Sequence, residues 1–497
     1  MFKFNFVVKS LLLASFLFLI CMVWCFQFWY TAWLIWFAYV PFLVLIHHIR
    51  GNYVKLIFYP FLLILIAYFF AFNWLLLIPK NQLLVFLGVS VEAMADCSPF
   101  VIYLLIRKKY NNPRFIWLLP FIVAIQEYLW WHLKIMTPVP MAHTQAPLTY
   151  ISQYVDLFGN TGATFMIVLI NVTVFRYWQM EKSTVFIAQR VMLILAFPVL
   201  YSCARVWQFN NHVPSDDGLK ISLFRLNIPS DGDDLFENTI ENFQRLERDV
   251  YLTDSIAFYE RKSNDISDLY VWHEGAFSRR IPKMNNYIES IIAENGVPLL
   301  TGIEMVDSIK SGLITNGSMV FYPNRSKSDL YTKMNFVNIW ENNCIRGKKY
   351  HLHKVENKVK TVYKIATPIC FEQFIPEHWA KFREQGADVF VQICFETWFR
   401  NGFGVEPGIS NITALRCMEN KVYGARTSNG GASAFFDPLG RRYYRSTSQE
   451  VIKGVVHKSN FQPTLYARFP WIGILLVAIA FVGAISIMRK NTSPKKD

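Results

Sequence analysis

Residues 365–374 read IATPICFEQF, an apolar, β-prone run that ends on Cys370 and carries Glu372 two positions further on. Such a run predicts a buried strand that delivers one polar, reactive side chain to the loop at its end. The residues around it extend the pattern. LKISLFRLNI (219–228), LYVWHEGAF (269–277), VPLLTGIEM (297–305), SMVFYP (318–323), ADVFVQICFETWF (387–399) and GASAFFDPLGR (431–441) are strand-like, and polar, helix-forming stretches such as 233–250 and 284–295 lie between them. Strands alternating with helices predict an α/β layer architecture for residues 208–468. In such folds reactive groups gather where strands end and loops begin.

The rest of the chain has a different character. Of its 497 residues 53% are hydrophobic and only 17% charged, and the apolar excess is concentrated in 7–207 and 470–488, so a membrane class is expected. Runs near 8–29, 31–46, 54–78, 82–106, 115–132, 160–178, 186–207 and 470–488 each approach the roughly 20 residues that cross a bilayer as a helix. Eight spans are therefore expected: seven in residues 1–207, and an eighth in 469–497 followed by a basic tail. Lys3 and Lys9 ahead of the first run resemble a signal peptide, but no small-residue cleavage pattern follows and a second run begins almost at once.

Loop charge sets the expected orientation. HHIRGNYVK (47–55), RKKYNNPR (107–114), the loop holding Arg176 and Lys182, and both termini are basic, whereas the opposite loops hold Lys80 and the Pro-rich 133–159 connection. Both termini then lie in the cytoplasm and the α/β domain outside it, which in a bacterium with two membranes is the periplasm. The net charge of +14 follows from this topology. The positive residues are dispersed and no nucleic-acid motif accompanies them. Within the spans, Glu92 and Asp96 share a helix face, and Gln126 and Glu127 lie at membrane depth. Such groups mark either interhelical polar contacts or a transport path, and transport has no need of a large external domain.

Of eight cysteines, Cys21, Cys25, Cys97 and Cys203 lie in or beside apolar spans. Cys344, Cys370, Cys394 and Cys417 lie in the α/β part without paired CxxC spacing, so neither a disulfide framework nor a zinc site is expected. His351-Leu352-His353 is too little for a metal, and TSNGGAS (427–433) lacks the spacing of a phosphate loop. No cofactor is expected.

Three strand ends carry conspicuous polar residues: Glu274, Lys333 in DLYTKMNFV (329–337), and Cys370. A thiol is mostly protonated at neutral pH, so a nucleophilic cysteine needs a base to take its proton and a cation to favour the thiolate. Glu274 suits the first role, and afterwards that of acid for the leaving group. Lys333 suits the second, and would stabilise a tetrahedral oxyanion as well. Read singly, Cys394 and Cys417 are inert packing. His273 beside Glu274 also permits a Cys-His dyad, but neighbours on a strand point to opposite faces, and Glu274 is the favoured partner of Cys370.

The order Glu, Lys, Cys resembles the nitrilase superfamily, whose members carry that triad on an α-β-β-α sandwich. Eight spans with such a domain between the seventh and eighth resemble the apolipoprotein N-acyltransferase family, as do GADVFVQICFETWF (386–399) and ALRCMENKVYGARTSNGGASAFFDPLGR (414–441). The resemblance implies Glu274, Lys333 and Cys370 as catalytic residues and Glu341 and Glu372 as supporting ones. It implies transfer of an acyl chain from a phospholipid donor, through a cysteine thioester, to the N-terminal amine of a diacylglyceryl-modified lipoprotein.

Several positions depart from the family pattern. His273 stands where proline is usual and Phe371 where tyrosine is usual. Glu396 and Arg400 stand where a small acid and a glycine are usual, and the apolar arm between lysine and cysteine is replaced by the short basic CIRGKKYHLHKVENKVK (344–360). A membrane-tethered amidase, in which water attacks the thioester, and a non-catalytic lipid- or lipoprotein-binding member are the alternatives.

Overall fold

The computed structural model describes residues 2–27, 29–48, 53–72, 82–110, 112–133, 141–211, 214, 216–225, 239–278, 282–306, 313–336, 341, 343–397, 405–446 and 450–490. Arg50, Lys80, Arg400 and the basic tail from 491 lie outside them. The chain divides into two compact units. One comprises Met1–Leu76, Asn81–Trp207 and Phe469–Asp497, the other Gln208–Arg468 with Leu77–Lys80.

The first unit is helical, the form in which an apolar segment satisfies its own backbone polar groups without water. Four stretches are long and apolar enough to cross a membrane: Tyr30–His48, Gln82–Tyr110, Val155–Gln179 and Thr184–Asn210. The other expected segments are helical too, at Phe2–Gln27, Tyr53–Ala71, Leu119–Leu133 and Ile472–Lys490, but their described apolar parts are shorter. Length and composition thus support four crossings among the described residues. Large apolar side chains such as Leu83, Leu193, Leu200 and Ile479 face outward, the reverse of a soluble bundle.

Several polar contacts inside this unit join neighbouring helices. Asn171 accepts the backbone N–H of Tyr39 at 2.9 Å and donates to the carbonyl of Ile35 at 3.0 Å. Trp130 donates its indole N–H to Glu92 at 2.9 Å, Thr164 its hydroxyl to Glu127 at 2.8 Å, and Tyr68 its hydroxyl to Asp96. Glu92 and Asp96, although on one helix face, bond to different neighbours.

Among the described residues the second unit has thirteen strands: β1 (Leu219–Phe224), β2 (Leu269–Val271), β3 (Phe277–Ser278), β4 (Leu299–Val306), β5 (Ile314–Phe321), β6 (Tyr331–Thr332), β7 (His353–Glu356), β8 (Val362–Ala366), β9 (Val389–Phe395), β10 (Tyr423–Asn429), β11 (Ser433–Phe436), β12 (Arg442–Ser446) and β13 (Val451–Val456). One sheet runs β13-β1-β2-β4-β5-β6, with β3 on β4; the other runs β12-β11-β10-β9-β8-β7. The central pairs β1–β2, β2–β4, β8–β9 and β9–β10 are parallel, as is β3–β4, and the other pairs are antiparallel.

Alternation along the strands builds the layers. Leu219, Ile221 and Leu223 of β1 join Ile365, Val389, Val391 and Ala425 in the core between the sheets. Phe224, Tyr270 and Trp272 point the other way, against Leu246, Val250, Ile288 and Ile292 from helices Thr239–Ser263 and Pro282–Asn295. Trp379 and Phe382 of helix Pro376–Glu384 join the buried cluster from the second sheet's side, where helix Val405–Asn420 also packs on β10. The α/β unit is therefore an α-β-β-α sandwich. Every residue of β9 is buried, as a central parallel strand covered on both faces requires.

Candidate active site

Glu274 lies three residues beyond β2 and Lys333 immediately after β6. Lys333 Nζ stands 3.0 Å from Glu274 Oε1 and 2.7 Å from Glu341 Oε1, and all three side chains are buried. Asn316, in the middle of β5, donates to Glu274 at 2.8 Å and reaches Glu341 at 3.4 Å, while its backbone carbonyl accepts the N–H of Lys333 at 2.8 Å. One ammonium shared by two carboxylates offsets part of the cost of burying these charges. Burial by itself would strip the proton from Lys333, but the charges of Glu274 and Glu341 outweigh it and hold the ammonium well above the ordinary lysine value.

The short basic segment after Glu341 braces this cluster. Gly347 donates its N–H to the carbonyl of Lys333 at 2.9 Å, Ile345 donates to Ile314 at 2.7 Å, and Arg346 donates to the carbonyl of Met334 at 2.8 Å. A Cβ on Gly347 would sit 2.0 Å from the carbonyl oxygen of Thr332, so only glycine permits the approach.

Cys370 is not the last residue of a strand. β8 stops at Ala366, and Cys370 opens a short 3-10 turn, Cys370–Phe374, with φ +46°. That left-handed backbone is uncommon for a residue with a Cβ and marks functional sites, where surrounding contacts over-determine it. No strand continues from Cys370 to Glu372, and the turn carries Glu372 back under the preceding segment. There its carboxylate accepts from Ile369 N at 2.9 Å, Met334 N at 2.6 Å, Asn335 N at 3.1 Å and Tyr331 Oη at 2.8 Å, with His378 Nε2 at 3.3 Å. Burial pushes the Glu372 carboxyl upward, yet His378 and these backbone donors outweigh it and hold it below the ordinary value.

The environment of the Cys370 thiol is mixed. A hydrogen bond with the Cys394 thiol, burial and the charge of Glu274 push it well above the ordinary cysteine value, against the pull of Lys333. The resting side chain is thus a thiol, and any covalent step must begin with transfer of its proton to a base. Contact with Cys394 corrects the reading of that residue as inert packing. A parallel bridge between Ile369 and Ile393 puts the two cysteines in adjoining positions. Nearby, Glu396 pairs with buried Arg426 and accepts the hydroxyl of Ser428 at 2.9 Å.

His273 is turned away from this chemistry. Its Nδ1 meets the carbonyl of Glu274 at 2.7 Å and its Nε2 stands 3.4 Å from Asp249. It lies beyond the end of β2, so turn geometry rather than strand alternation separates it from Glu274. Cys417 is fully buried against Gly424. Among the described residues no three His, Cys, Asp or Glu side chains converge as a metal site would require.

Sequence reasoning missed Asn316, Tyr331 and His378. The sequence places the strand-like run at 318–323, whereas β5 begins at Ile314 and takes in Asn316-Gly317, a pair that more often turns a chain. Gly317 is there because a Cβ would lie 2.4 Å from the carbonyl oxygen of Tyr331 on β6.

The apolipoprotein N-acyltransferase N-terminal domain family matches residues 19–173, and the carbon-nitrogen hydrolase family matches residues 284–457. An apolipoprotein N-acyltransferase of Chlorobaculum tepidum is 23% identical over 402 residues, covering 72% of this chain and 73% of the relative. One from Rickettsia bellii is 23% identical over 356 residues, covering 65% and 66%. Among solved structures, Saccharomyces cerevisiae Nit3, a member of branch 10 of the nitrilase superfamily, is 17% identical with a TM-score of 0.39, covering 49% of this chain and 93% of that one.

Proposed function

We propose, on the premise that this chain is a homologue of the apolipoprotein N-acyltransferases and an enzyme with a carbon–nitrogen hydrolase catalytic domain, that it transfers an acyl chain from a phospholipid to the N-terminal amine of a diacylglyceryl-modified lipoprotein. Cys370 carries the chain between them as a thioester. The observation that carries the reading is the Lys333 ammonium held between Glu274 and Glu341, within electrostatic range of a thiol on left-handed backbone.

In the first half-reaction Glu274 takes the thiol proton as sulfur attacks the ester carbonyl, and Lys333 faces the oxyanion that forms. The tetrahedral species collapses with expulsion of the lysophospholipid alkoxide, which recovers the proton from Glu274. In the second, the amine attacks the thioester and gives its proton to Glu274 as the Cys370 thiolate departs. Glu274 then returns the proton to sulfur. The buried Oδ1 of Asn316, without a hydrogen-bond partner among the described residues, is an acceptor available to the attacking N–H. Glu341 and Glu372 act by position: one fixes Lys333 directly, and the other fixes the chain on either side of it.

Both substrates are lipid-anchored, and a catalytic domain tied into a membrane at each end meets them at the surface. In this reading the eight helical segments all span, both termini are cytoplasmic and the catalytic domain is periplasmic on the inner membrane. The test is product analysis. Purified protein in vesicles of acyl-labelled phospholipid, given a diacylglyceryl-modified peptide, should place the label on the peptide amine. Release of the label only as free fatty acid would identify a hydrolase instead.

A further inference from the structure

The pairing of Cys370 with Cys394 has no task in acyl transfer. The parallel bridge Ile369–Ile393 sets the two residues side by side on adjoining chain segments, and Ile393 N–H donates to the carbonyl of Pro368 at 3.4 Å. Gln392 reaches the carbonyl of Cys370 at 3.4 Å. Neighbouring strands lie about 4.7–4.9 Å apart, inside the range of about 4.4–6.8 Å between Cα atoms that a disulfide spans. The thiols are hydrogen-bonded to each other and both are free. Cys394 is fully buried while Cys370 is partly exposed, so a small oxidant meets Cys370 first. The Arg426 guanidinium, held by Glu396, lies within electrostatic range of both sulfurs.

We propose that Cys370 and Cys394 form a reversible active-site disulfide, in which Cys394 is the resolving thiol for oxidised Cys370. With hydrogen peroxide as oxidant, Cys370 sulfur attacks one peroxide oxygen and its proton passes through Glu274 to the leaving hydroxide. The products are a sulfenic acid and water. The Cys394 thiol then attacks the sulfenic sulfur and expels its hydroxyl as a second water. Two thiols are oxidised by two electrons and one peroxide is reduced. The disulfide keeps Cys370 off the irreversible sulfinic and sulfonic steps, and an external dithiol restores both thiols by exchange. A nucleophile that must stay reduced outside the cytoplasm has a use for such protection. The inference rests on the two cysteines and stands whichever acceptor the enzyme uses.

The experiment exposes the purified full-length protein to hydrogen peroxide, alkylates the remaining thiols and maps the peptides by mass spectrometry. The expected product joins the peptides of Cys370 and Cys394, lighter by two hydrogens than their sum, and dithiothreitol regenerates Cys370. In Cys394→Ser and Cys394→Ala the same exposure should leave Cys370 as sulfinic or sulfonic acid that dithiothreitol does not recover. Overoxidation of Cys370 in the wild type without the joined peptide would overturn the proposal, as would a bond from Cys370 to Cys344 or Cys417. Equal recovery of Cys370 with and without Cys394 would overturn it as well.

Discussion

The carboxylate of Glu372 accepts the backbone N–H of Met334, the residue after Lys333, at 2.6 Å. The same carboxylate accepts the N–H of Ile369, the residue before Cys370. A single buried acid therefore ties together the two chain segments that present the cation and the nucleophile. Gln at this position would turn an amide toward several donors and leave at least one buried N–H unpaired, a cost of about 1–3 kcal/mol. Glu372→Gln should lower the unfolding midpoint and slow turnover, while thioester still forms at Cys370. The folded carboxyl titrates below its ordinary 4.5, so it contributes stability at neutral pH that is lost as pH falls through the folded value. Wild-type stability should decline on acidification below about pH 4.5, and the variant's decline in that window should be shallower. Parallel wild-type and variant curves in acid denaturation would remove Glu372 from this role.

Lys333 draws the Cys370 thiol toward ionisation, against Cys394, burial and the charge of Glu274. Lys333→Met should therefore slow alkylation of Cys370 by iodoacetamide at neutral pH, with the rate recovering only in more alkaline solution. An unchanged pH–rate profile would mean that the ammonium does not act on the sulfur.

Glu341 and Lys333 form a buried pair at 2.7 Å, and Glu274 shares the same ammonium at 3.0 Å. Glu341→Gln leaves Lys333 one carboxylate partner, whereas Lys333→Met leaves two buried carboxylates without a cation, so Lys333→Met should cost about 3–5 kcal/mol, the range for breaking such a pair, and Glu341→Gln less. Adding Glu341→Gln to Lys333→Met should recover part of the larger loss, because one of the two uncompensated charges is gone. Additive losses in the double variant would show that the two side chains are energetically independent.

Topology is tested by reporters fused within the α/β unit and at each end. Activity of an extracytoplasmic reporter near residue 300, and of cytoplasmic reporters at both termini, is expected. A fusion near residue 300 that works only in the cytoplasm would place the catalytic domain on the other side.

Much of the sandwich was legible because strand runs and polar stretches alternate along 218–468, and β1 and β8 carry the period-2 pattern openly. Glu274, Lys333 and Cys370 stood out because each lies at the end of a strand-like run and the three follow the order Glu, Lys, Cys. The rest depended on partners distant in sequence. Cys394 follows Cys370 by 24 positions on the next strand of the sheet, and nothing local distinguishes its side chain from packing. Asn316 was hidden by an Asn-Gly pair that usually turns a chain, and here lies straight in a strand because β6 passes too close for any Cβ at Gly317. Glu372 was noticed, but its geometry was not, since a 3-10 turn replaces the strand that IATPICFEQF suggests.

The measurement closest to the central claim is a map of the acyl-enzyme. Purified protein is incubated with labelled phospholipid, quenched in acid, where thioesters persist, and digested for mass spectrometry. Wild type should carry one acyl chain on Cys370, Cys370→Ser and Glu274→Gln should carry none, and Cys394→Ser and Cys417→Ser should still be acylated at Cys370. An acyl chain mapped to Cys344, Cys394 or Cys417, or lipoprotein modified at the normal rate by Cys370→Ser, would contradict the account.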